Sequence, residues 1–218
     1  MLVYTKNTPY FLITLDLKNN HLKVLQRWKY NWVNATGTTK WKYTESRDFH
    51  QKVDRLIWSV WGGRFELKIS PGAVLPQNYK AGKIITYFDI QWVLDNTAHW
   101  KVDVTKIKPG GFQQSYIRWD NRQIQLDTED TRQTLKFNKG NVKHFQYGVT
   151  HEFGHTLGNV TYTPSGHGDE YKQGSVWLND FPSIMNRGNE LRQRHLDFIR
   201  QTINGMVPGL KFEISYVR

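Results

Sequence analysis

The first part of the chain alternates between apolar and polar residues, with the two-residue period of a β-strand. Residues 10–17 and 22–33 flank Asn19 and Asn20, a pair that favours a turn. The apolar residues of the second segment share one parity: Leu22, Val24, Trp28, Tyr30 and Trp32. A strand places such residues on one face, so we expect a β-hairpin within residues 1–45.

A helical pattern replaces this alternation in residues 46–61. Apolar residues recur there at short helical spacings: Phe49, Val53, Leu56, Ile57, Val60 and Trp61. The pattern predicts an amphipathic helix, and Gly62 with Gly63 is expected to end it.

Strand patterns return in the middle of the chain. Phe65, Leu67 and Ile69 alternate up to Pro71 and Gly72, a pair typical of turns. Further short apolar or alternating segments predict strands at residues 84–93, 100–104 and 123–128.

Residues 141–157 show helical spacing again. One face of the predicted helix is apolar, with Val142, Phe145, Val149, Phe153 and Leu157. The other face carries His144, Gly148, His151 and His155. The preceding residues, Lys139, Gly140 and Asn141, predict a turn and a cap.

The C-terminal segment predicts a helix over residues 191–204, ended by Gly205, and a strand over residues 210–216 that could pair with the N-terminal hairpin. The order of elements and the lack of an internal repeat predict a single α+β domain over residues 1–218. We divide it into a hairpin extension, a core and a last strand, at residues 1–45, 46–205 and 206–218.

Composition limits the class of protein. The sequence contains no cysteine, which excludes disulfides and thiolate zinc sites. It has no apolar run of membrane-spanning length, and its first residues do not form a secretory signal. We expect a protein that is cytoplasmic in its producer or exported by a non-classical or injection system. The net charge of +11 suits either a soluble basic surface or attraction to an anionic partner. The basic residues are spread along the chain, and we predict no specific nucleic acid.

The chemistry is concentrated in the run His151-Glu152-Phe153-Gly154-His155. Histidines four apart on a helix point in the same direction, which suits one Zn²⁺ ion, and the glutamate after the first histidine suits a general base. We therefore expect one catalytic zinc ion held by His151 and His155, with Glu152 as the catalytic base.

Two further features make this motif more specific. Gly158 is expected to end the zinc helix with a positive φ, turning the chain back toward the metal. Ser183, Ile184 and Met185 resemble the Met-turn of the metzincin peptidases, in which a methionine lies beneath the metal. The resemblance implies a mixed twisted sheet, an active-site helix and a C-terminal helix. It also implies an edge strand that pairs with an extended substrate, for which residues 123–128 are the candidate.

The third zinc ligand remains open at this stage. The metzincin pattern requires it at position 161, where Thr161 is a poor zinc ligand. The following loop offers His167, Asp169 and Glu170, and Glu190 lies further on. The chain is similar to bacterial toxin-type metallopeptidases with the pattern HEFGHxxGxxDEY, which favours Asp169. The general preference of catalytic zinc for neutral imidazole favours His167 instead.

The remaining roles concern the transition state. Glu152 would accept the proton of the attacking water and deliver it to the leaving amine. A further side chain usually stabilises the developing oxyanion, and the candidates are Tyr171, His195 and Tyr162.

These observations predict a zinc-dependent endopeptidase that acts on a protein or peptide. The toxin-type resemblance implies a bacterial effector and, with it, an immunity or inhibitor protein as a partner. One alternative is a basic, aromatic-rich binding module whose zinc site is degenerate or structural. Another is a zinc amidase that acts on the cell wall.

Overall fold

The computed structural model describes residues 2–70, 75, 77, 79, 82–164 and 166–218. Within them, the helices are α1 (Tyr43–Trp61), α2 (Gly148–Thr156) and α3 (Asp197–Asn204). The strands are β1 (Val3–Asn7), β2 (Leu12–Asp16), β3 (His21–Asn34), β4 (Phe65–Ile69), β5 (Ile84–Trp92), β6 (Trp100–Lys106), β7 (Tyr116–Arg118), β8 (Gln123–Asp127), β9 (Gln133–Lys139), β10 (Val142–Tyr147) and β11 (Phe212–Val217). The turn predicted at Pro71 and Gly72 lies outside the described residues.

The described strands form a mixed sheet in the order β11–β4–β5–β3–β6–β8–β7, and β1 and β2 extend it beside the first half of β3. The predicted hairpin is confirmed, because β2 pairs with β3 antiparallel. Strand β3 also pairs in parallel with β5 and with β6. Residues 1–45 therefore contribute a central strand to the same sheet as residues 46–205. The architecture is mixed α+β with few helices.

Helix α1 is confirmed and begins slightly earlier than predicted, at Tyr43. Its buried stripe consists of Ser46, Phe49, Val53, Ile57 and Trp61. Trp61 packs edge-on against Phe88 of β5 and Phe153 of α2. Burying a large apolar side chain contributes about 1.5–3 kcal/mol. This packing holds α1, the sheet and α2 together.

The helix predicted from residue 141 was wrong in its first half. Residues Val142–Tyr147 form β10, which pairs with β9 in a separate two-stranded hairpin. Gly140, with φ of 58°, makes the tight turn between them. Phe145 faces Leu135 across the hairpin, and both are exposed. The spacing of three and four there arose from a hairpin, and α2 begins only at Gly148.

The predicted C-terminal helix also begins later than residue 191. Residues Gln193–Leu196 form a 3₁₀ turn, and α3 follows from Asp197. The backbone N–H of Arg192, the residue before the turn, donates to His195 Nδ1 at 3.0 Å, so a side chain within the turn caps its N-terminus. The stripe of Ile199 and Ile203 is buried as expected.

Two predicted strand pairings were wrong. Strand β11 pairs antiparallel with β4, not with the N-terminal hairpin. Residues 123–128 were predicted to form an edge strand, but β8 pairs with β6 on one side and with the three-residue strand β7 on the other. The edge of the sheet near α2 is therefore β7. None of the helices in the described residues has the length and apolar composition needed to cross a bilayer.

Candidate metal centre

Helix α2 presents two histidines from a buried, firmly packed backbone. The indole Nε1 of Trp61 donates to the Thr150 carbonyl oxygen at 3.1 Å, and Phe153 packs against the same indole. Residues four apart share a helix face, so His151 and His155 lie side by side. Their ring centroids are 4.9 Å apart.

Backbone carbonyls fix the orientation of both imidazoles. His151 Nδ1 lies 2.7 Å from the Ile184 carbonyl oxygen, and His155 Nδ1 lies 2.6 Å from the Asn159 carbonyl oxygen. A carbonyl oxygen can only accept, so each Nδ1 carries a proton and donates it. In the neutral rings each Nε2 then offers a lone pair. Metal-binding histidines are oriented in this way by their second nitrogen.

Asp169 brings a carboxylate oxygen to the same point. Its Oδ1 lies 3.2 Å from His151 Nε2 and 3.1 Å from His155 Nε2. Its Oδ2 lies 2.6 Å from the ammonium of Lys172, so a single oxygen faces the imidazoles. Two nitrogens and one carboxylate oxygen are a donor set that suits catalytic zinc and leaves a coordination position for water. The residues present therefore fit the predicted ion.

The charges of this group are strongly coupled. Burial opposes ionisation of Asp169, but hydrogen bonds with His151 and His155 outweigh it and hold its pKa well below the usual range. Burial lowers the pKa of His155, but the hydrogen bond with Asp169 and the charges of Glu152 and Asp169 together raise it above the usual 6.5. A cation is thus favoured between these side chains, and protons and a metal ion compete for the position.

Glu152 is buried beside the two histidines. Burial raises the pKa of its carboxyl group, and the charges of His151 and His155 oppose that rise. Lys136, on the β9–β10 hairpin, acts in the same direction as the histidines. The causes of the shift include no hydrogen bond to the Glu152 carboxylate.

The turn that contains Met185 contacts both parts of the centre. Met185 is fully buried, and its sulfur lies against Gly154 of α2. The carbonyl oxygen of Ile184 accepts from His151, and that of Met185 accepts the backbone N–H of Glu170 at 2.8 Å. The turn therefore positions the first histidine and the segment that carries Asp169.

The residues after α2 fix the second histidine. Gly158 has φ of 100°, as predicted, and an added Cβ would collide with the ring of Phe198. Asn159 follows, and its Nδ2 donates to the Gly154 carbonyl oxygen at 2.7 Å and to that of His195 at 3.1 Å. The Asn159 carbonyl can then accept from His155. The role of Asn159 was not predicted from the sequence, although an amide directly after a helix-ending glycine is a suitable signal.

A cleft of about 350 Å³ opens beside His155 and Asp169. Its walls include Tyr116 and Ile117 of the edge strand β7 and, opposite them, His155 and Asp169. The exposed residue Thr161 also lies in this cleft and contributes no ligand to the group around Asp169.

Tyr171 and Tyr162 both line the cleft. The ring of Tyr171 stacks on His151, with 6.1 Å between the ring centroids, and its hydroxyl hydrogen-bonds with Asp169. Burial and the Asp169 charge raise the pKa of Tyr171, which keeps its hydroxyl protonated as a donor. Of the predicted oxyanion donors, Tyr171 is thus closest to the ligands. Tyr162 is more exposed.

A second cluster contains the other predicted residues. His167, Glu170 and His195 are buried together, with ligand atoms within 4.8 Å of one another. Because the Arg192 N–H donates to His195 Nδ1, the proton of the neutral ring lies on Nε2. This nitrogen donates to Glu170 Oε1 at 3.3 Å and has no lone pair for a metal.

The charges in this cluster also argue against a metal ion there. Burial lowers the pKa of His195 to about 4, so the ring is neutral. Burial also opposes ionisation of Glu170, but hydrogen bonds from Arg194 and His195 outweigh it and lower its pKa to about 2. A cation beside the fixed charge of Arg194 would be repelled. His195 is therefore a buried partner of Glu170, away from the cleft. Glu190 is exposed and pairs with Arg192.

Asp127 and Asp130 form an acidic pair that links the segment before β7 to the start of α2, and it was not predicted from the sequence. Asp130 Oδ2 accepts from Ser115 Oγ at 2.5 Å and from the backbone N–H of Asp127 at 2.8 Å. Burial raises the pKa of Asp130 to about 7, and the charges of Asp127 and Glu152 add to the rise. Any Cβ on Gly148 would collide with Asp130, so the glycine permits this contact.

Comparison of the chain with protein-family models, with curated proteins and with solved structures gives no match. The chemistry of the centre must therefore be inferred from its own side chains.

Proposed function

We propose that the protein is a zinc-dependent peptidase whose metal is held by His151, His155 and Asp169. The observation that carries the proposal is that one carboxylate oxygen lies within 3.2 Å of both Nε2 atoms, while both Nδ1 atoms donate to backbone carbonyls. This combination of ligand atoms and outer hydrogen bonds is typical of a built metal site. A metzincin-like arrangement, with Met185 beneath the site, belongs to the same proposal.

A zinc ion held there would supply Lewis acidity toward a carbonyl oxygen and an acidified water. Glu152 would be the group that accepts a proton from the attacking water and delivers it to the leaving amine. Its raised pKa makes it a stronger base than an exposed glutamate, which suits proton transfer near neutral pH. Tyr171 is the proposed donor to the developing oxyanion, because its protonated hydroxyl lies at the ligand Asp169.

The cleft supports an extended peptide as substrate. Strand β7 forms the edge of the sheet and lines the cleft, and its other edge pairs antiparallel with β8. An exposed edge can add a peptide strand through backbone hydrogen bonds. A peptide bound along β7 would pass in front of His155 and Asp169, across the width of the cleft.

Metal analysis and a peptide-cleavage assay test the proposal. We expect about one zinc ion per chain, as for other three-ligand catalytic sites, and cleavage that a chelator stops. Glu152→Gln should retain the metal and lose about 10²–10⁴-fold in turnover, the usual contribution of a general acid–base group. Glu213→Gln, on exposed β11, is the matched control and should cleave as the wild type does.

Two outcomes would reject the proposal. One is a wild-type protein that takes up no zinc at neutral pH, and the other is undiminished cleavage by Glu152→Gln. Digestion of peptidoglycan in parallel separates a peptidase from a cell-wall amidase, since an amidase would free new amino groups in peptidoglycan and leave protein substrates intact.

A further inference from the structure

Glu170 is a fully buried carboxylate that the proposed reaction does not use. Arg194 donates to its two oxygens from Nε at 2.6 Å and from Nη2 at 2.9 Å. His195 Nε2 lies 3.3 Å from Oε1. Buried charges are costly unless their hydrogen bonds are complete, and here both carboxylate oxygens are paired.

The charged network extends beyond this pair. Arg194 Nη2 also donates to Asp180 Oδ2 at 2.6 Å, and Asp180 Oδ1 accepts from Arg192 at 2.7 Å. The guanidinium of Arg194 lies over the ring of Trp177, 4.8 Å from its centroid. Arg194 is thus held on several sides, and a planar, rigid donor of this kind fixes the carboxylate that it binds.

The backbone of Glu170 is fixed as well, because its N–H donates to the Met185 carbonyl oxygen. Asp169 is the preceding residue, and one peptide unit separates the two Cα atoms. Outside the two histidines, Lys172 and Tyr171 contact the Asp169 side chain directly, and both are exposed, with 66% of the Lys172 side chain and 38% of Tyr171 accessible. An exposed ion pair contributes little to fixing a geometry. The rigid support for Asp169 is therefore Glu170.

We propose that Glu170 is a positioning residue, which holds Asp169 at the distance where its Oδ1 and both Nε2 atoms can share one ion. Arg194 and His195 are the partners that hold Glu170 in place. This inference rests on the proposed function. It adds that zinc affinity depends on a carboxylate that is not a ligand.

The test compares two buried glutamates with the same chemistry. Glu66 is also buried and pairs with Lys83 and Arg218, at 2.7 Å each, on strand β4. Both Glu170→Gln and Glu66→Gln should lower the thermal stability of the metal-free protein. Only Glu170→Gln should weaken zinc binding, by about 10–100-fold, the usual effect of losing an outer partner of a ligand. Competition with a chromophoric chelator measures that affinity.

Cobalt substitution adds a readout that stability does not affect. The visible spectrum of bound Co²⁺ reports ligand geometry, so it should change in Glu170→Gln and stay as in the wild type in Glu66→Gln. Arg194→Lys keeps the charge but loses the two-point contact, and it should show a smaller change of the same kind. This variant keeps the test available if Glu170→Gln does not fold.

The inference is overturned if Glu170→Gln, or Arg194→Lys in its place, binds zinc with wild-type affinity and gives the wild-type cobalt spectrum. It is also overturned if Glu66→Gln weakens zinc binding equally. A wild-type protein that binds no metal is a different result, because it rejects the proposed function itself.

Discussion

The sulfur of Met185 lies so close to Gly154 that a Cβ added to the glycine would be 2.5 Å from it. Trp61 closes the same space, with its ring 3.1 Å from that added atom. The middle of the HExxH turn therefore packs on its supporting methionine without room for any side chain. Glycine is otherwise a poor residue for a helix interior, so close packing explains its presence here.

Gly154→Ala should destabilise the protein despite the better helix propensity of alanine. Overpacking costs about 1–3 kcal/mol and the propensity gain offsets about 1 kcal/mol, so we expect a net loss of about 1 kcal/mol in the free energy of unfolding. Urea unfolding of the metal-free protein measures it. In a Met185→Ala background the same change should become neutral or stabilising. Equal destabilisation in both backgrounds would show that the methionine is not the cause.

Asp169→Asn and His167→Gln distinguish the two candidates for the third ligand. Asp169→Asn removes the charge that faces both Nε2 atoms, so we expect it to abolish zinc binding in the micromolar range. His167 lies in the second cluster, where its ring is 5.9 Å from that of His195, and its variant should keep near wild-type zinc affinity. Zinc titration of both variants provides the measurement. The reverse pattern would assign the ligand to His167.

The stability of the metal-free protein should depend on pH through Asp169 and His155. The pKa of Asp169 is lowered on folding, so its contribution is present above 3.8 and is lost as the pH falls. The pKa of His155 is raised on folding, so its contribution is complete below 6.5 and is lost as the pH rises through the folded value. Together they stabilise the metal-free protein most between these two values.

Zinc should reverse the upper part of this dependence. Bound zinc requires neutral imidazoles, so its affinity should increase as the pH rises above 6.5 and protons leave His155. Urea unfolding across this pH range, with and without zinc, measures the free energy of unfolding and checks both predicted trends. Asp169→Asn should flatten the dependence in the absence of metal. A metal-free wild type whose stability does not fall above pH 6.5 would contradict the coupling.

Tyr171→Phe should lower kcat by about 10²-fold, the usual cost of losing one oxyanion donor, without loss of zinc. The ring still stacks on His151, so the change removes only the hydroxyl. Tyr162→Phe is the matched control, because Tyr162 lines the same cleft but is 58% exposed. Steady-state kinetics on one peptide substrate compares them. Equal losses in both variants would remove Tyr171 from the proposed mechanism.

The sequence was sufficient to predict the structure wherever the geometry is local. Two histidines four residues apart share a helix face whatever the rest of the fold is. A glycine directly after a helix, such as Gly158, is expected to have a positive φ. Alternation was sufficient for β3 and β6, because burial alternates along most of each strand. Helical spacing was misleading at Val142 and Phe145, where an exposed hairpin carries apolar residues three positions apart.

The sequence left Asp169 and His167 open as the third ligand, because a loop without a period does not show which of its side chains reaches the helix. The tertiary structure brings Asp169 to the two Nε2 atoms. It also decided that β7, only three residues long, forms the edge of the sheet. The groups that orient the two imidazoles are backbone carbonyls, and every residue has one. The sequence therefore determined which side chains could hold an ion, and long-range packing determined where they meet.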